Sequence, residues 1–328
     1  MILAGDIGGT NSRLAIFNDD LGLVDQHVYL NAGRTSFPDI VREFIGKQKY
    51  PIDKACFAVA GPVSDGRVTL TNLSWHLEEE TLAAELKIGK VGLINDLMGH
   101  AEGIATLSPD KLICLQKGEP SQRGGRAVIA AGTGLVEAGL FYDAVAGVYR
   151  AFPTEGGHAD FSPRNELEDQ LLLFLRKKSP RVFWEMALSG PGLRNLYDFL
   201  KSTGKFAKSD ELPDKPEYDG KGPKPADISG AGMAGTSVLA VAALEMFVTL
   251  YGAEAGNLAL KTLATGGVYL GGGIAPRILA KLQSDRFLDA FRAKSTDKLA
   301  AMMRKIPVYV INFELCGLYG AANYASRL

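Results

Sequence analysis

Cysteine is scarce: Cys56, Cys114 and Cys316 are the only three in 328 residues, an odd number set far apart. That excludes a disulfide framework and offers no zinc-ligand spacing, so buried, reduced thiols in a cytoplasmic protein are expected. Excess charge is lacking as well. Lys and Arg total 36 against 37 Asp and Glu, a net charge of −1, which leaves no basic footprint for nucleic acid. By eye no apolar run is long enough to cross a membrane, and no basic region precedes an apolar stretch at the N-terminus. Met1 runs directly into a strand pattern, which argues against a cleaved leader. A P-loop is missing too, since no Gly-Lys-Ser/Thr opens a helix.

Glycine, by contrast, is abundant and placed in pairs. Met1 to Phe17 reads MILAGDIGGTNSRLAIF: strands over Ile2–Ala4 and Arg13–Phe17, with Gly8 and Gly9 turning between them. A turn without Cβ atoms lets backbone N–H groups approach a phosphate, and Thr10 and Asn11 add side-chain donors. Asp6, at the exit of the first strand, is placed to hold Mg²⁺ through water. A strand, not a helix, follows, so this is not the dinucleotide fingerprint. The bland alternative is a tight hairpin with a chance Asp. Residues 127–142, AVIAAGTGLVEAGLFY, repeat the pattern around Gly132, Thr133 and Gly134. Two such hairpins would grip a polyphosphate from both sides, and they suggest a two-lobed chain of related halves. The length suits two domains.

Between and beyond the hairpins the spacing predicts a strand over 23–30 and a helix over 37–48 capped by Ser36. ACFAVA at 55–60 reads as a central strand covered on both faces. Thr71 to Trp75 reads as a loop with one packing Trp. A helix over 78–86 precedes a strand over 91–94 that stops at Asn95-Asp96. There a carboxylate either faces a cleft or caps the next helix, and the two roles are compatible. Thr154 to Phe161, TEGGHADF, sets Glu155 and His158 three apart across two glycines, able to converge on one small polar ligand. A metal pair there lacks a third ligand, and an isolated His is more often structural. Helices are expected over 166–177, over 181–187 carrying Glu185, and over 193–201 after Ser189-Gly-Pro-Gly. The Lys- and Pro-rich stretch 205–226 reads as an exposed excursion. Residues 236–264 read as a long apolar core helix. Residues 266–274 read as a glycine-bracketed strand, where backbone could lie against a base or ribose, opening toward a helix after Pro276, a first-turn proline. A last strand over 308–313 and a helix over 317–326 close the chain.

Six motifs in this order, GDIGGTNSRLA, LIND, AAGTGL, TEGGHADF, LSGPGL and GGVYLGGGIAPR, resemble those of the bacterial-type glucokinases, over residues 3 to about 325. These are sugar kinases of the actin-like ATPase (ribonuclease H-like) fold. The resemblance implies an α/β chain with a small α/β lobe, 1–105 and 313–328, and a larger α+β lobe, 106–312, with a cleft between. It implies ATP and Mg²⁺, glucose as substrate, lobe closure on sugar, and a homodimer. Asp96 resembles the catalytic base. Asn95, Glu155, His158 and Glu185 resemble the sugar-hydroxyl ligands. Gly8, Gly9, Thr10 and Asn11 resemble the first phosphate loop; Gly132, Thr133 and Gly134 resemble the second. Gly271, Gly272 and Gly273 resemble the adenosine-site glycines, and Asp6 the water-mediated Mg²⁺ carboxylate.

Two departures stand out. Val136 occupies a position where glycine is common, and a β-branched residue there would restrict φ and reshape the nucleotide loop. The 205–226 stretch also matches poorly. The rival readings are a kinase for another hexose or an amino sugar, and a sugar-sensing regulator or actin-like assembly protein. No helix-turn-helix precedes Met1, which counts against the regulator.

Overall fold

The structure is a computed structural model that describes residues 1–70, 73–215 and 222–328. The chain divides into two compact units. One comprises Met1–Lys111, Tyr142–Pro153 and Phe313–Leu328, the other Leu112–Phe141 and Thr154–Asn312.

The first unit carries β1 (Ile2–Ile7), β2 (Asn11–Phe17), β3 (Leu23–Leu30), α1 (Phe37–Ile45), β4 (Lys54–Val59), β5 (Arg67–Leu70), β6 (Trp75–Glu78), α2 (Glu79–Leu86), β7 (Lys90–Asn95) and α3 (Asp96–Ile104). Its main sheet runs β3-β2-β1-β4-β7. β1 pairs antiparallel with β2, while β1, β4 and β7 are parallel. Side chains alternate across a strand. Leu3, Ile7, Ala55, Phe57 and Val59 therefore face one core with Phe37, Phe44 and Leu82. Ile2, Ala4, Cys56 and Ala58 face another, with Leu318, Ala321 and Ala322 of the C-terminal helix Cys316–Ser326. Burial on both faces explains why β4 is wholly apolar after Lys54. The same alternation sends Asp6 to the face of Ile2 and Ala4.

Helix α1 ends at Ile45 rather than near Gln48, because Gly46 caps it with its N–H on Arg42 O and Phe44 O. Ser36 is its N-cap, accepting from Asp39 N–H at 3.3 Å. Trp75 opens strand β6 instead of sitting in a loop, and its buried ring lies 6.0 Å from that of Phe37. Thr71 and Asn72, also read as loop, lie outside the described residues.

The second-unit elements are β8 (Leu112–Gln116), β9 (Arg126–Ala131), β10 (Leu135–Asp143), β11 (Val148–Thr154), α4 (Glu166–Arg176), α5 (Gly190–Ser202), α6 (Pro225–Ala234), α7 (Val238–Lys261), β12 (Gly267–Gly271), α8 (Ile274–Arg277), α9 (Leu279–Leu282), α10 (Asp285–Arg292), α11 (Asp297–Lys305) and β13 (Val308–Ile311). Most of β11 and the outer end of β10 fall in the first unit's residue range. The sheet order is β11-β10-β9-β12-β13-β8. β9 is antiparallel to β10 and parallel to β12, and β12 is parallel to β13.

Several expectations are corrected here. Helix α7 is long and apolar enough to cross a membrane by length and composition, contrary to the expectation that no apolar run is. Its placement accounts for that composition: Leu239, Leu244, Phe247, Tyr251 and Leu258 are buried in the unit's core. A helix apolar all round is a buried helix. No α-helix forms over 181–187. Phe183 bridges to Asp160 and Trp184 N–H bonds Ala159 O at 3.1 Å, so this backbone lies extended and only Trp184–Met186 make a 3₁₀ turn. Helix α5 begins at Gly190, not Leu193, with Ser189 Oγ accepting from Gly192 N–H at 2.9 Å. Within 205–226, Lys208–Asp210 form a 3₁₀ turn and Pro225 already opens α6, a first-turn proline needing no N–H partner. Residues 216–221 of that stretch lie outside the described ones. Cys114 is exposed rather than buried, because β8 is the sheet's edge strand; Cys56 and Cys316 are buried.

Candidate active site

In the first unit, β1 delivers Asp6 to the start of a tight turn closed by Gly8 N–H on Asn11 O at 2.9 Å. The turn is braced from β3's end. Asn31 Nδ2 donates to Gly8 O at 2.8 Å, and Asn31 Oδ1 accepts from the buried Ser12 Oγ at 2.7 Å. Gly9, Thr10 and Asn11 are exposed, so their donors are presented outward. Asn31 was not singled out from the sequence, since nothing local marks a residue bracing a turn twenty-three positions earlier.

At the end of the parallel strand β7, Asn95 is the N-cap of α3: its Oδ1 accepts Leu97 N–H at 2.9 Å, and its Nδ2 donates to Gly61 O at 3.0 Å. Asp96 is thus the first helical residue, with Oδ1 accepting Leu97 N–H at 2.8 Å. The helix N-terminus favours a negative charge here. Burial nevertheless pushes the Asp96 carboxyl above its ordinary range; His100 and the Leu97 N–H pull it back, and Asp6 pushes it further up. Asp6 is raised likewise, by burial, with His100 and Arg13 opposing. His100, one turn on from Asp96, bonds Asp96 O through Nδ1 at 3.1 Å. A Cβ on Gly317 would sit 3.4 Å from the His100 ring and 3.7 Å from Asp6 Oδ2. The i,i+4 spacing of Asp96 and His100 is the signal that marks this imidazole in the sequence.

The second unit gathers the remaining candidates. The Gly132–Gly134 turn closes with Gly132 N–H on Gly134 O at 2.8 Å. Gly190 N–H donates to Gly132 O at 2.8 Å, which ties the turn to the first residue of α5. A helix N-terminus beside a glycine turn is a ready anion site. Glu185 Oε2 accepts Leu135 N–H at 2.9 Å, so this carboxylate braces the same turn. A Cβ on Gly134 would lie 2.6 Å from Glu185 Oε2, so a larger residue there would push this carboxylate off the turn.

Glu155 and His158 flank a 3₁₀ turn closed by His158 N–H on Glu155 O at 2.9 Å, and both side chains are exposed. The His158 ring lies 5.0 Å from that of Phe183, two residues before Glu185. The Asp160–Phe183 bridge brings these segments together. Gly271 to Gly273 end β12. Gly272 has φ +78, and a Cβ on it would collide with Ala131 O, so the chain passes close only because it is glycine. A cavity of about 550 Å³ is lined by Gly132, Thr133, Gly190, Lys224, Gly273 and Arg277 among others. Its glycine rim and cationic side chains fit a nucleotide with its phosphates. Among the described residues no three His, Cys, Asp or Glu could ligate a metal together. A single carboxylate at Asp6 fits a divalent cation that keeps its water and is carried by phosphate.

Val136, expected to reshape this turn, pairs in register with Ala130 as the second residue of β10. A β-branched residue suits that backbone.

The family model for glucokinase matches residues 3–328. The glucokinase of a Nostoc species is 40% identical over 100% of this chain and 99% of its own length. The crystal structure of a glucokinase from an Antarctic psychrotroph superimposes with a TM-score of 0.87 at 29% identity, covering 100% of this chain and 99% of that one. A Streptomyces griseus glucokinase of the ROK family, solved with glucose and AMPPNP, shares the fold, with a TM-score of 0.63 at 18% identity over 100% of this chain and 99% of that one. The fold is the actin-like ATPase fold of the sugar kinases. The chain is an enzyme and belongs to the glucokinase family.

Proposed function

We propose that the chain transfers the γ-phosphoryl group of ATP to the 6-hydroxyl of glucose, with Asp96 as general base. The observation that supports this best is the β7–α3 step, where Asp96 sits at the end of a parallel strand with its proton affinity raised by burial. A sugar hydroxyl is a weak nucleophile, and a carboxylate of raised basicity accepts its proton more readily as the bond to phosphorus forms. Asn95, Glu155, His158 and Glu185 hold ring hydroxyls and so aim the nucleophile. One Glu185 oxygen serves the Leu135 N–H, and the other is available to sugar. A sugar lacking one of these hydroxyls would leave a polar group unpartnered, which supplies selectivity.

Gly8, Gly9, Thr10 and Asn11 donate to phosphate from the first hairpin, and Gly132, Thr133 and Gly134 from the second. Gly271, Gly272 and Gly273 lie along the adenosine. Phosphoryl transfer needs in-line positioning and charge neutralisation more than covalent help. Mg²⁺, touched by Asp6 through water, supplies part of that neutralisation when bound. The complex of the Streptomyces griseus relative with glucose and AMPPNP is consistent with this pair of substrates. We further propose a cytoplasmic location and a homodimer; light scattering on purified protein tests the dimer, and cell fractionation the location.

A coupled assay with Mg²⁺-ATP and glucose, mannose, fructose and N-acetylglucosamine tests the reading. Turnover strongest on glucose is expected. Turnover strongest on another sugar would reassign the ring contacts, and none on any sugar with any donor would overturn the reading.

A further inference from the structure

Strand β10 carries one buried acid that the chemistry above does not use. Glu137 shares its face of the strand with Leu135, is buried, and has an Oε1 that no donor group reaches. The carboxyl lies directly beneath the Glu155–His158 turn. A Cβ on Gly156 would collide with Glu137 Oε2, and one on Gly157 would collide with Leu135 O. The strand also anchors the turn's first residues: Thr154 Oγ1 donates to Glu137 O at 2.9 Å and accepts from Gly156 N–H at 3.1 Å.

On its other side Glu137 meets Glu254 of α7, close enough for a hydrogen bond between the two carboxyls. Glu254 is fully buried and already engaged, accepting from Asn257 Nδ2 at 2.8 Å and Lys261 Nζ at 3.1 Å. Two carboxylates have no donor between them, so that contact requires a proton. Burial first, then the Glu254 charge, pushes Glu137 up to about 8, against the pull of Lys261. The other groups around the pair are the Tyr251 hydroxyl of α7, which donates to Ile129 O at 3.1 Å, and Lys294 beyond α10. Lys294 bonds Asn257 Oδ1 at 3.0 Å and is itself pushed down to about 8, by burial and by Arg164.

We propose that Glu137 is a positioning residue for sugar binding: a proton shared with Glu254 holds the floor under Glu155–His158, and loss of that proton loosens the hold on sugar. This rests on Glu155 and His158 binding the sugar, as proposed above. Ionised, the two carboxylates repel at close range in a water-poor site. The nearest movable backbone is the glycine pair Gly156-Gly157.

The test is the pH profile of KM for glucose, separate from kcat, at saturating Mg²⁺-ATP. In the wild type KM rises at least about tenfold as Glu137 ionises, while kcat does not fall in step. In Glu137→Gln, which stays neutral, the rise is lost. A variant whose KM climbs in parallel with the wild type, or a wild-type KM that stays flat, overturns the proposal. Should Glu137→Gln fail to fold, infrared titration of the wild type decides instead. A protonated-carboxyl band present at neutral pH must vanish with the same midpoint as the KM rise, and its absence overturns the assignment. Glu155→Gln keeps the two readings apart. Unchanged glucose KM in that variant removes the sugar role of the loop itself, whereas a weakened Glu155→Gln beside a parallel Glu137→Gln profile removes only Glu137.

Discussion

Strands β1 and β2 in the first unit and β9 and β10 in the second form antiparallel pairs, each turning on glycine. Each pair continues into two parallel strands, β4 and β7 or β12 and β13. The turns are braced differently. Gly8 is held by a neutral amide, Asn31, itself fixed by Ser12. Gly132 and Leu135 are held by the first residue of α5 and by a carboxylate, Glu185. Acid placement differs as well. In the first unit Asp6 precedes the turn and Asp96 opens the helix after β7, two strands along the sheet, both part-exposed. In the second the acid on the strand, Glu137, follows the turn and is buried. The same strand plan thus presents part-exposed carboxylates in one copy, where we propose the chemistry, and a buried one in the other, where we propose a supporting role.

Replacing Asp96 by Ala tests the chemical half and has the largest expected effect. We expect kcat to fall at least about 10²-fold, with Asn95 still capping α3 so that the fold is retained. Steady-state kinetics beside circular dichroism would check this, and near-normal turnover would take Asp96 out of the role.

The supporting half is tested through stability. The folded-state pKa of Glu137 is raised, so the stability it contributes is full below its unfolded value. That stability is lost as pH rises toward about 8. Glu137→Gln should therefore stabilise the protein at mildly alkaline pH, by up to about 5 kcal/mol for a shift from 4.5 to about 8, the gain vanishing near about pH 4. Melting curves across that range would read it. A variant no more stable than the wild type at the alkaline end would mean that the buried acid carries no strain.

How much of this contrast is legible in the sequence follows from how local each feature is. The two turns announce themselves, because a glycine cluster between apolar runs has one ready reading. The Asn95-Asp96 step is legible as a strand end meeting a helix start, although the sequence leaves open whether the carboxylate caps the helix, a place the structure gives to Asn95. Asn31, His100, Gly190 as a turn anchor, and Glu137 are not singled out. His100 bonds Asp96 O one helical turn away, a local spacing that a closer match of charged pairs recovers, whereas Asn31, Gly190 and Glu137 act through partners supplied by tertiary packing. The helix expected over 181–187 fails for the same reason: pairing with 159–161 overrides a helical spacing. Helix α10 is the opposite case. Its buried Phe287, Ala290 and Phe291 follow helical spacing that a closer reading of periodicity recovers.

Glu185 and Asn31 give smaller, opposed tests of the two braces. Glu185→Ala removes both the turn brace and a sugar ligand, so KM for ATP and for glucose should each rise by about tenfold, the cost of one unmet buried hydrogen bond. Glu185→Gln retains an oxygen for Leu135 N–H and should shift mainly glucose. Asn31→Ala, which leaves Ser12 and Gly8 unpartnered, should cost about 1 kcal/mol of stability and raise KM for ATP alone. Isothermal titration with each ligand separates these outcomes, and equal losses for both ligands in Asn31→Ala would refute the division between the braces.

Val136→Gly is the finest probe of the comparison, and its expected effect is the smallest. If Val136 distorted the second turn, glycine would tighten ATP binding. The structure gives the residue an ordinary strand position opposite Ala130, with the turn already closed by Gly132 and Gly134. Glycine in a strand gives up packing and gains conformational freedom in the unfolded chain. We therefore expect a loss of about 0.5–1 kcal/mol in stability, and a KM for ATP within about twofold of the wild type, since a change of under about 0.5 kcal/mol in binding moves affinity no further. A variant that binds ATP tenfold more tightly would show instead that β-branching at this position, not the Glu185 brace, sets the shape of the second turn.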